Sequence, residues 1–117
     1  MNSLYLDPVV KFSQEKYANL DMLVDVYAMQ AVWSSEKLAT MLGYDIDEIS
    51  DVSIRKILDL NPTEIMKIAI TTFTGEPSVK KLITKTGDKV TGRANIHSFL
   101  YEKSPYIAVT DVELLDV

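Results

Sequence analysis

Side chains that commonly carry chemistry are scarce in this chain of 117 residues. It contains no cysteine and a single histidine, His97. Without cysteine there is no disulfide, thiol nucleophile, iron–sulfur cluster or cysteinyl–flavin photochemistry. One histidine cannot supply a multi-histidine metal site, and we therefore predict that the chain binds no metal. What remains is one imidazole, a group that can act as a proton switch near neutral pH.

The role of His97 depends on which face of a strand it occupies. Within the predicted strand 89–101, alternate residues share a face. One face carries Gly92, Ala94 and Ile96, which are small or apolar, and we expect this face to pack under helices. His97 then lies on the outer face, which predicts a surface or dimer-interface histidine rather than a ligand-binding one. A β-bulge would reverse the two faces.

Catalysis by acid and base needs two titratable groups that converge in an apolar pocket. The inner-face positions are apolar or small and His97 lies on the other face, so we predict no catalytic residues and a domain that is not itself an enzyme. A small α+β isomerase or hydrolase is the alternative. Asp25 or Asp111 buried against His97 would indicate such an enzyme.

The first third of the chain predicts a helix and two strands. Asp7-Pro8 is typical of a helix start, because proline suits the first helical turn. We assign residues 1–21 to an N-terminal flanking helix. The apolar run 22–33 is rich in strand-forming residues, and we divide it into two strands with a tight reversal somewhere in 28–31.

The middle of the chain predicts a series of helices. A hydroxyl N-cap at Ser34 or Ser35 begins a short helix, which ends at Gly43, and a capping box at 45–48 begins another. A further helical turn is expected within 52–60. The sequence Asn61-Pro62-Thr63-Glu64 combines an N-cap, a first-turn proline and a capping-box glutamate, and it predicts a longer helix that stops at Gly75 and Pro77.

The last third predicts three strands. Segments 78–86 and 89–101 flank a Gly-Asp turn and form a hairpin. A final strand, 106–114, follows a turn at 103–105. The order helix, two strands, helices, three strands is most simply packed as an α+β fold, with a five-stranded antiparallel sheet and helices on one face.

Charge and hydropathy narrow the classes of partner. The formal net charge is −5, which argues against nucleic-acid binding because phosphate contacts need clustered lysine and arginine. No apolar run approaches the roughly 20 residues that span a bilayer, and the N-terminus lacks signal-peptide order. We therefore expect no membrane contact and a cytoplasmic location.

Four short motifs in this order resemble those of a PAS domain. They are Trp33-Ser34-Ser35 through Leu42-Gly43-Tyr44, Asp47-Glu48-Ile49, Thr86-Gly87-Asp88, and Thr110-Asp111-Val112-Glu113. Each motif alone is weakly specific, whereas their order and spacing together are specific. The resemblance extends over 22–113, and we divide the chain into the flanking helix 1–21 and a PAS domain, 22–117.

The resemblance implies a sensory or interaction module of a signalling protein such as a histidine kinase or cyclase. It also implies an effector domain or partner signalling protein. We further predict a homodimer through the outer face of the sheet, and signal output through Thr110, Asp111 and Glu113. Glu113 stands where the family usually has threonine, and the chain ends four residues later without an effector. An excised domain and a stand-alone protein both remain open.

The family's cofactors each require a particular residue. Flavin and thioester photosensors need cysteine, and haem sensors use a histidine on the long helix, where this chain has none between Pro62 and Gly75. We therefore predict no such cofactor and consider a small apolar ligand in the cleft between the long helix and the sheet. The candidate cleft residues are Trp33, Met66, Ile70, Phe73, Ala94 and Ile96. Plain core packing is the alternative for the large side chains, and close helix approach for the small ones.

The outer face of the sheet carries aromatic residues that need a cover. The candidate residues for this face and for a dimer interface are Phe12, Tyr17, Arg93, His97, Phe99 and Tyr101. The flanking helix could cover the face within one chain or across a two-fold dimer. The two main hypotheses are thus a small-molecule sensor and a ligand-free interaction module.

Overall fold

The computed structural model describes residues 7–49, 52–71 and 76–115, and it confirms the predicted α+β fold. The elements in chain order are α1 (Pro8–Lys16), β1 (Leu20–Asp25), β2 (Gln30–Ser34), α2 (Glu36–Leu42), α3 (Ile46–Ile49), a 3₁₀ turn (Ile54–Lys56), α4 (Pro62–Thr71), β3 (Glu76–Ile83), β4 (Lys89–Tyr101) and β5 (Ser104–Leu114). The strands form one antiparallel sheet in the order β2-β1-β5-β4-β3. The chain thus returns from the far edge of the sheet to place β5 against β1.

Side-chain caps fix where the helices begin. Of the two candidate serines, Ser35 is the N-cap of α2, and its Oγ accepts the Leu38 amide at 3.1 Å. At α4, Asn61 and Glu64 exchange hydrogen bonds at 2.9 and 3.0 Å in a complete capping box. These caps satisfy amide groups that a helix start leaves without partners. Gly43 ends α2 in the left-handed conformation with φ of 83°.

The tight turns are less regular than the sequence suggests. The β1–β2 reversal occupies residues 26–29 and contains Met29 at φ 53°. The β4–β5 turn is formed by Glu102 and Lys103 at φ 49° and 68°. The prediction of a turn at 103–105 is therefore wrong, because Ser104 and the residue after it already belong to β5. Neither glutamate nor lysine is a common signal for left-handed backbone.

Two strands begin earlier in the chain than predicted. β1 begins at Leu20, inside the segment assigned to the flanking helix, because α1 already ends at Lys16. β3 begins at Glu76 rather than at Ser78. The predicted helix stop at Gly75 lies outside the described residues. Within the described part of the chain, no helix is long and apolar enough to cross a membrane.

The sheet separates two apolar clusters. The larger lies between its inner face and α2, α3, the 3₁₀ turn and α4, and it includes the fully buried Leu38, Leu42 and Ile54. The smaller lies on the outer face under α1, around Val9 and Leu23. Burying apolar surface on both faces stabilises the sheet as a central layer.

Candidate functional site

An apolar cavity of about 60 Å³ lies between the inner face of the sheet and the helical layer. Each surrounding element contributes side chains to its wall. They are Met22 and Val24 of β1, Leu38 of α2, Ile54, Leu58 and Leu60 around the 3₁₀ turn, Ile65 and Ile68 of α4, Ser78, Lys80 and Leu82 of β3, Gly92, Arg93, Ala94 and Ile96 of β4, and Ile107, Val109 and Val112 of β5. The cavity therefore touches all the layers that the inner core joins.

The chemistry of this wall suits binding rather than reaction. Its exposed surface is almost wholly apolar, and Lys80 and Arg93 are the titratable residues among the described lining. Apolar cavities stay dry and accept small apolar molecules, and an engineered cavity of about 150 Å³ holds benzene. At less than half that volume, this cavity takes a very small apolar ligand, or a larger one only if the walls move.

Two of the predicted cleft residues line the cavity, and Trp33 does not. Ala94 and Ile96 face it from β4. Trp33 instead packs in the outer cluster, where it is paired with Leu23 of β1. Leu23 pairs with Trp33 and Val24 with Ala31, so Val32 of β2 is the extra residue of a bulge. The placement of Trp33 in the cleft was wrong because such a bulge leaves no signal in the sequence.

The face of α4 toward the cavity also differs from the prediction. Ile65 and Ile68 line the cavity, whereas Met66 and Ile70 are exposed. Apolar residues occur on more than one side of α4. The periodicity of the sequence alone therefore did not identify the buried side of this helix. Placing Met66 and Ile70 in the cleft was therefore wrong. Phe73, the remaining cleft candidate, lies outside the described residues.

The space above Gly92 is filled by a neighbouring strand rather than a helix. A Cβ atom added to Gly92 would lie 2.8 Å from Cδ1 of Leu82 on β3. Leu82 therefore packs directly over the glycine backbone. Leu82, Gly92 and Ala94 all line the cavity.

On the outer face, α1 covers the aromatic residues within the same chain. The Phe12 ring lies 5.7 Å from Phe99 and 5.2 Å from Tyr101, between ring centroids. The Tyr17 ring lies 4.7 Å from His97 and 5.7 Å from Phe99. These are ordinary distances for favourable aromatic contacts. The predicted dimer face is thus largely occupied by the chain's own first helix.

His97 lies in this outer cluster, on the face of β4 opposite the cavity-lining Ala94 and Ile96. Its Nε2 is 3.1 Å from Thr110 Oγ1. Burial lowers the pKa of His97, and the charge of Asp111 opposes this shift. Asp111 itself is exposed, and Asp25 accepts the Ala28 amide in the β1–β2 turn. The described residues thus place no acid–base pair with His97 in the cavity.

The predicted output residues lie where β5 changes its pairing. Thr110 is buried, and Asp111 takes the left-handed conformation with φ of 55°. Arg93 of β4 forms an ion pair with Glu113 directly across the strands. Arg93 was assigned to the outer face, and it both lines the cavity and holds Glu113.

Asp21, which was not among the predicted site residues, is 4% exposed. Its Oδ1 accepts a hydrogen bond from Ser35 Oγ at 2.7 Å, and its Oδ2 accepts the Val112 amide at 2.8 Å. Lys37 Nζ lies 3.3 Å from the same Oδ2. Asp21 falls in the segment assigned to the flanking helix, directly before the apolar run 22–33, and the local sequence gives no sign that its carboxylate is buried. A buried carboxylate needs partners, and these come from distant parts of the chain. No group of three or more potential metal ligands occurs among the residues in the three described segments.

Comparisons with known proteins concern the fold. No protein-family model matches the sequence, and no curated protein matches it. The PAS domain of a Desulfitobacterium hafniense protein has a TM-score of 0.68 at 14% identity, over 86% of this chain and 96% of that one. A domain of a sensory box sensor histidine kinase/response regulator from Geobacter sulfurreducens has a TM-score of 0.58 at 16% identity, over 94% and 98%.

A third structure comes from a different class of signalling protein. The N-terminal domain of a diguanylate cyclase with a PAS/PAC sensor from Marinobacter aquaeolei has a TM-score of 0.55 at 10% identity, over 79% of this chain and 92% of that one. These likenesses extend over most of each chain and agree with the antiparallel order β2-β1-β5-β4-β3. The chain therefore has the PAS fold.

Proposed function

We propose that this chain is a sensory input module of a signalling protein and that it binds a small apolar molecule in the inner cavity. The observation that carries the proposal is the cavity itself, an apolar space of about 60 Å³ enclosed by α4, the helical layer and the sheet. Folded proteins keep few voids larger than a water molecule in their cores. A space of this kind, lined by both the sheet and the helical layer on its inner face, is suited to a ligand whose binding changes the packing.

The signalling role is supported by the proteins that share the fold. Two of the compared structures come from a sensor histidine kinase/response regulator and a diguanylate cyclase with a PAS/PAC sensor. By analogy, we propose that this chain acts on an effector domain or a partner signalling protein. A bound ligand would favour one arrangement of the sheet and its flanking segments, and so shift the population of two states.

Native mass spectrometry of protein purified without denaturant tests the ligand. We expect a reproducible additional mass that disappears when the protein is denatured. The variant Ala94→Leu fills the cavity and should reduce the bound fraction several-fold. Ala18→Leu is the matched control, because it makes the same change at an exposed residue after α1. A spectrum without the additional mass in repeated preparations would favour a ligand-free interaction module instead.

The homodimer stays a prediction, and the structure changes how it would form. Because α1 covers Phe99 and Tyr101, a dimer through these residues requires α1 to leave the face or to exchange between chains. Sedimentation velocity over a range of concentrations measures this directly. A dimer should form with Phe12→Ala at lower concentration than with the unaltered chain. A monomer for both proteins at every concentration would contradict the dimer.

A cytoplasmic location also stays a prediction. Fractionation of cells that produce the whole protein should place it in the cytoplasmic fraction. Its recovery with membranes would contradict that location.

A further inference from the structure

Asp21 occupies an irregular position in the sheet. Its neighbours Leu20 and Met22 pair with adjacent residues of β5, Thr110 and Val109, so Asp21 lies at a register shift between β1 and β5. The shift coincides with the left-handed Asp111, whose amide donates to the Asn19 carbonyl rather than to a ladder partner. The amide of the next residue of β5 donates to the Asp21 carboxylate.

The carboxylate connects this point to the start of α2. Ser35, the N-cap of α2, donates its hydroxyl to Asp21 Oδ1 at 2.7 Å, and the Ser35 amide donates to the Asp21 carbonyl at 2.8 Å. Val112 of β5 donates to Oδ2 at 2.8 Å. One buried side chain therefore holds a helix start and a strand end together. Hydrogen bonds to a buried carboxylate are stronger than those between neutral groups.

Residues at or next to Asp21 and its hydrogen-bond partners belong to the cavity wall. Met22 follows Asp21 in β1, Leu38 lies on the first turn of α2 after Ser35, and Val112 carries the amide that Asp21 binds. All three line the cavity. The cavity wall and the hydrogen bonds at Asp21 thus share the same short stretches of β1, α2 and β5.

We propose that Asp21 couples the cavity to the C-terminal end of β5. The carboxylate holds α2 and residues 111–115 in one arrangement, and movement of α2 or the cavity wall is transmitted through it to the end of the strand. The role of this coupling in sensing rests on the proposed function. The coupling between α2 and β5 itself does not depend on a ligand.

Amide hydrogen exchange tests the coupling without a ligand. Ser35→Ala removes one donor to Asp21, and the Val112 amide should exchange at least about fivefold faster relative to an amide in the middle of β4, as expected for loss of one hydrogen bond. Ser53→Ala is the matched control. Ser53 caps the 3₁₀ turn and contacts Met29 rather than Asp21, and it should leave that ratio within about twofold, well short of one hydrogen bond.

Two conservative variants separate coupling from general destabilisation. Ser35→Thr keeps the hydroxyl and should restore slow exchange at Val112. Asp21→Asn should accelerate exchange both at Val112 and at Leu38 on α2. Equal acceleration of Val112 and the β4 reference amide in Ser35→Ala would contradict the proposal. So would acceleration confined to α2.

Xenon under pressure, observed by NMR, then tests the link to the cavity. Xenon should shift the Ile96 methyl signals and also the Leu115 amide, which donates to the Thr91 carbonyl beyond the cavity wall. In Asp21→Asn the Ile96 shift should persist and the Leu115 shift should shrink. If the Ile96 methyl signals do not shift, xenon binding in the cavity is contradicted. The coupling is not, because hydrogen exchange in Ser35→Ala tests it without a ligand. Equal Leu115 shifts in both proteins would overturn the coupling.

Discussion

His97 lies where the first helix meets the sheet, between the Tyr17 ring and the Thr110 hydroxyl. The desolvation that lowers its pKa means that the folded protein holds a neutral imidazole where the unfolded chain would already bind a proton. A proton on His97 is therefore unfavourable for folding, although Asp111 offsets part of the effect.

The sign of the resulting pH dependence follows from this pKa. The unfolded histidine takes up its proton near pH 6.5, before the folded one. The contribution of His97 to the free energy of unfolding should thus be constant above that pH and fall as the pH drops toward the folded pKa. Urea unfolding at about pH 8 and about pH 6 should show this loss in the unaltered chain and a smaller loss in His97→Gln. The same loss in both proteins would contradict it.

Residue types in the sequence indicated the caps but not the buried polar group. Serine, asparagine and glycine cap helices through their own side chains or backbone, so Ser35, Asn61 and Gly43 were recognisable from local sequence. Asp21 binds groups that are 14 and 91 residues away. Such a role depends on the completed sheet, and no local pattern predicts it.

At the level of elements, the β4–β5 turn places two residues in an unfavourable conformation. Glu102 and Lys103 both have positive φ angles, and two-residue hairpin turns of this kind favour Asn-Gly. Lys103→Gly should therefore raise the free energy of unfolding by about 1 kcal/mol, because the left-handed region costs other residues roughly that much. Chemical denaturation measures the change.

A matched variant separates this effect from loss of the lysine side chain. Lys103→Ala also removes the charge but keeps the Cβ atom, so it should give little or no gain. An equal gain from both variants would indicate that the charge, rather than the backbone conformation, is responsible.

Element order and strand alternation were predictable, whereas register was not. Alternation along β4 separated Ala94 and Ile96 from His97 because that strand is regular where it faces the cavity. The bulge at Val32 of β2 places Trp33 on the outer face. On α4, the residues left exposed are as apolar as those buried, so only the packed structure distinguishes Ile65 from Met66.

At the level of the whole molecule, the sheet separates two apolar clusters and contributes side chains to both. α1 packs on the outer face through the buried Val9 and Val10 and through the ring contacts of Phe12. Phe12→Ala should lower the free energy of unfolding by about 2 kcal/mol through lost apolar burial and ring contacts. Urea unfolding measures this loss.

Gln14→Ala is the control for α1, because Gln14 is exposed on the same helix. It should change the free energy of unfolding by less than about 0.5 kcal/mol, as for most surface substitutions. A similar loss in both variants would mean that α1 is held by its backbone caps rather than by the aromatic cluster.

The inner core and the PAS fold together lead to the central claim that the cavity is a ligand site. A crystal structure of the protein, purified without denaturant, tests that claim most directly. The proposed function predicts electron density for a small apolar molecule in contact with Leu38, Ile68 and Ile96. A cavity that is empty, or closed by collapse of these side chains, would contradict it.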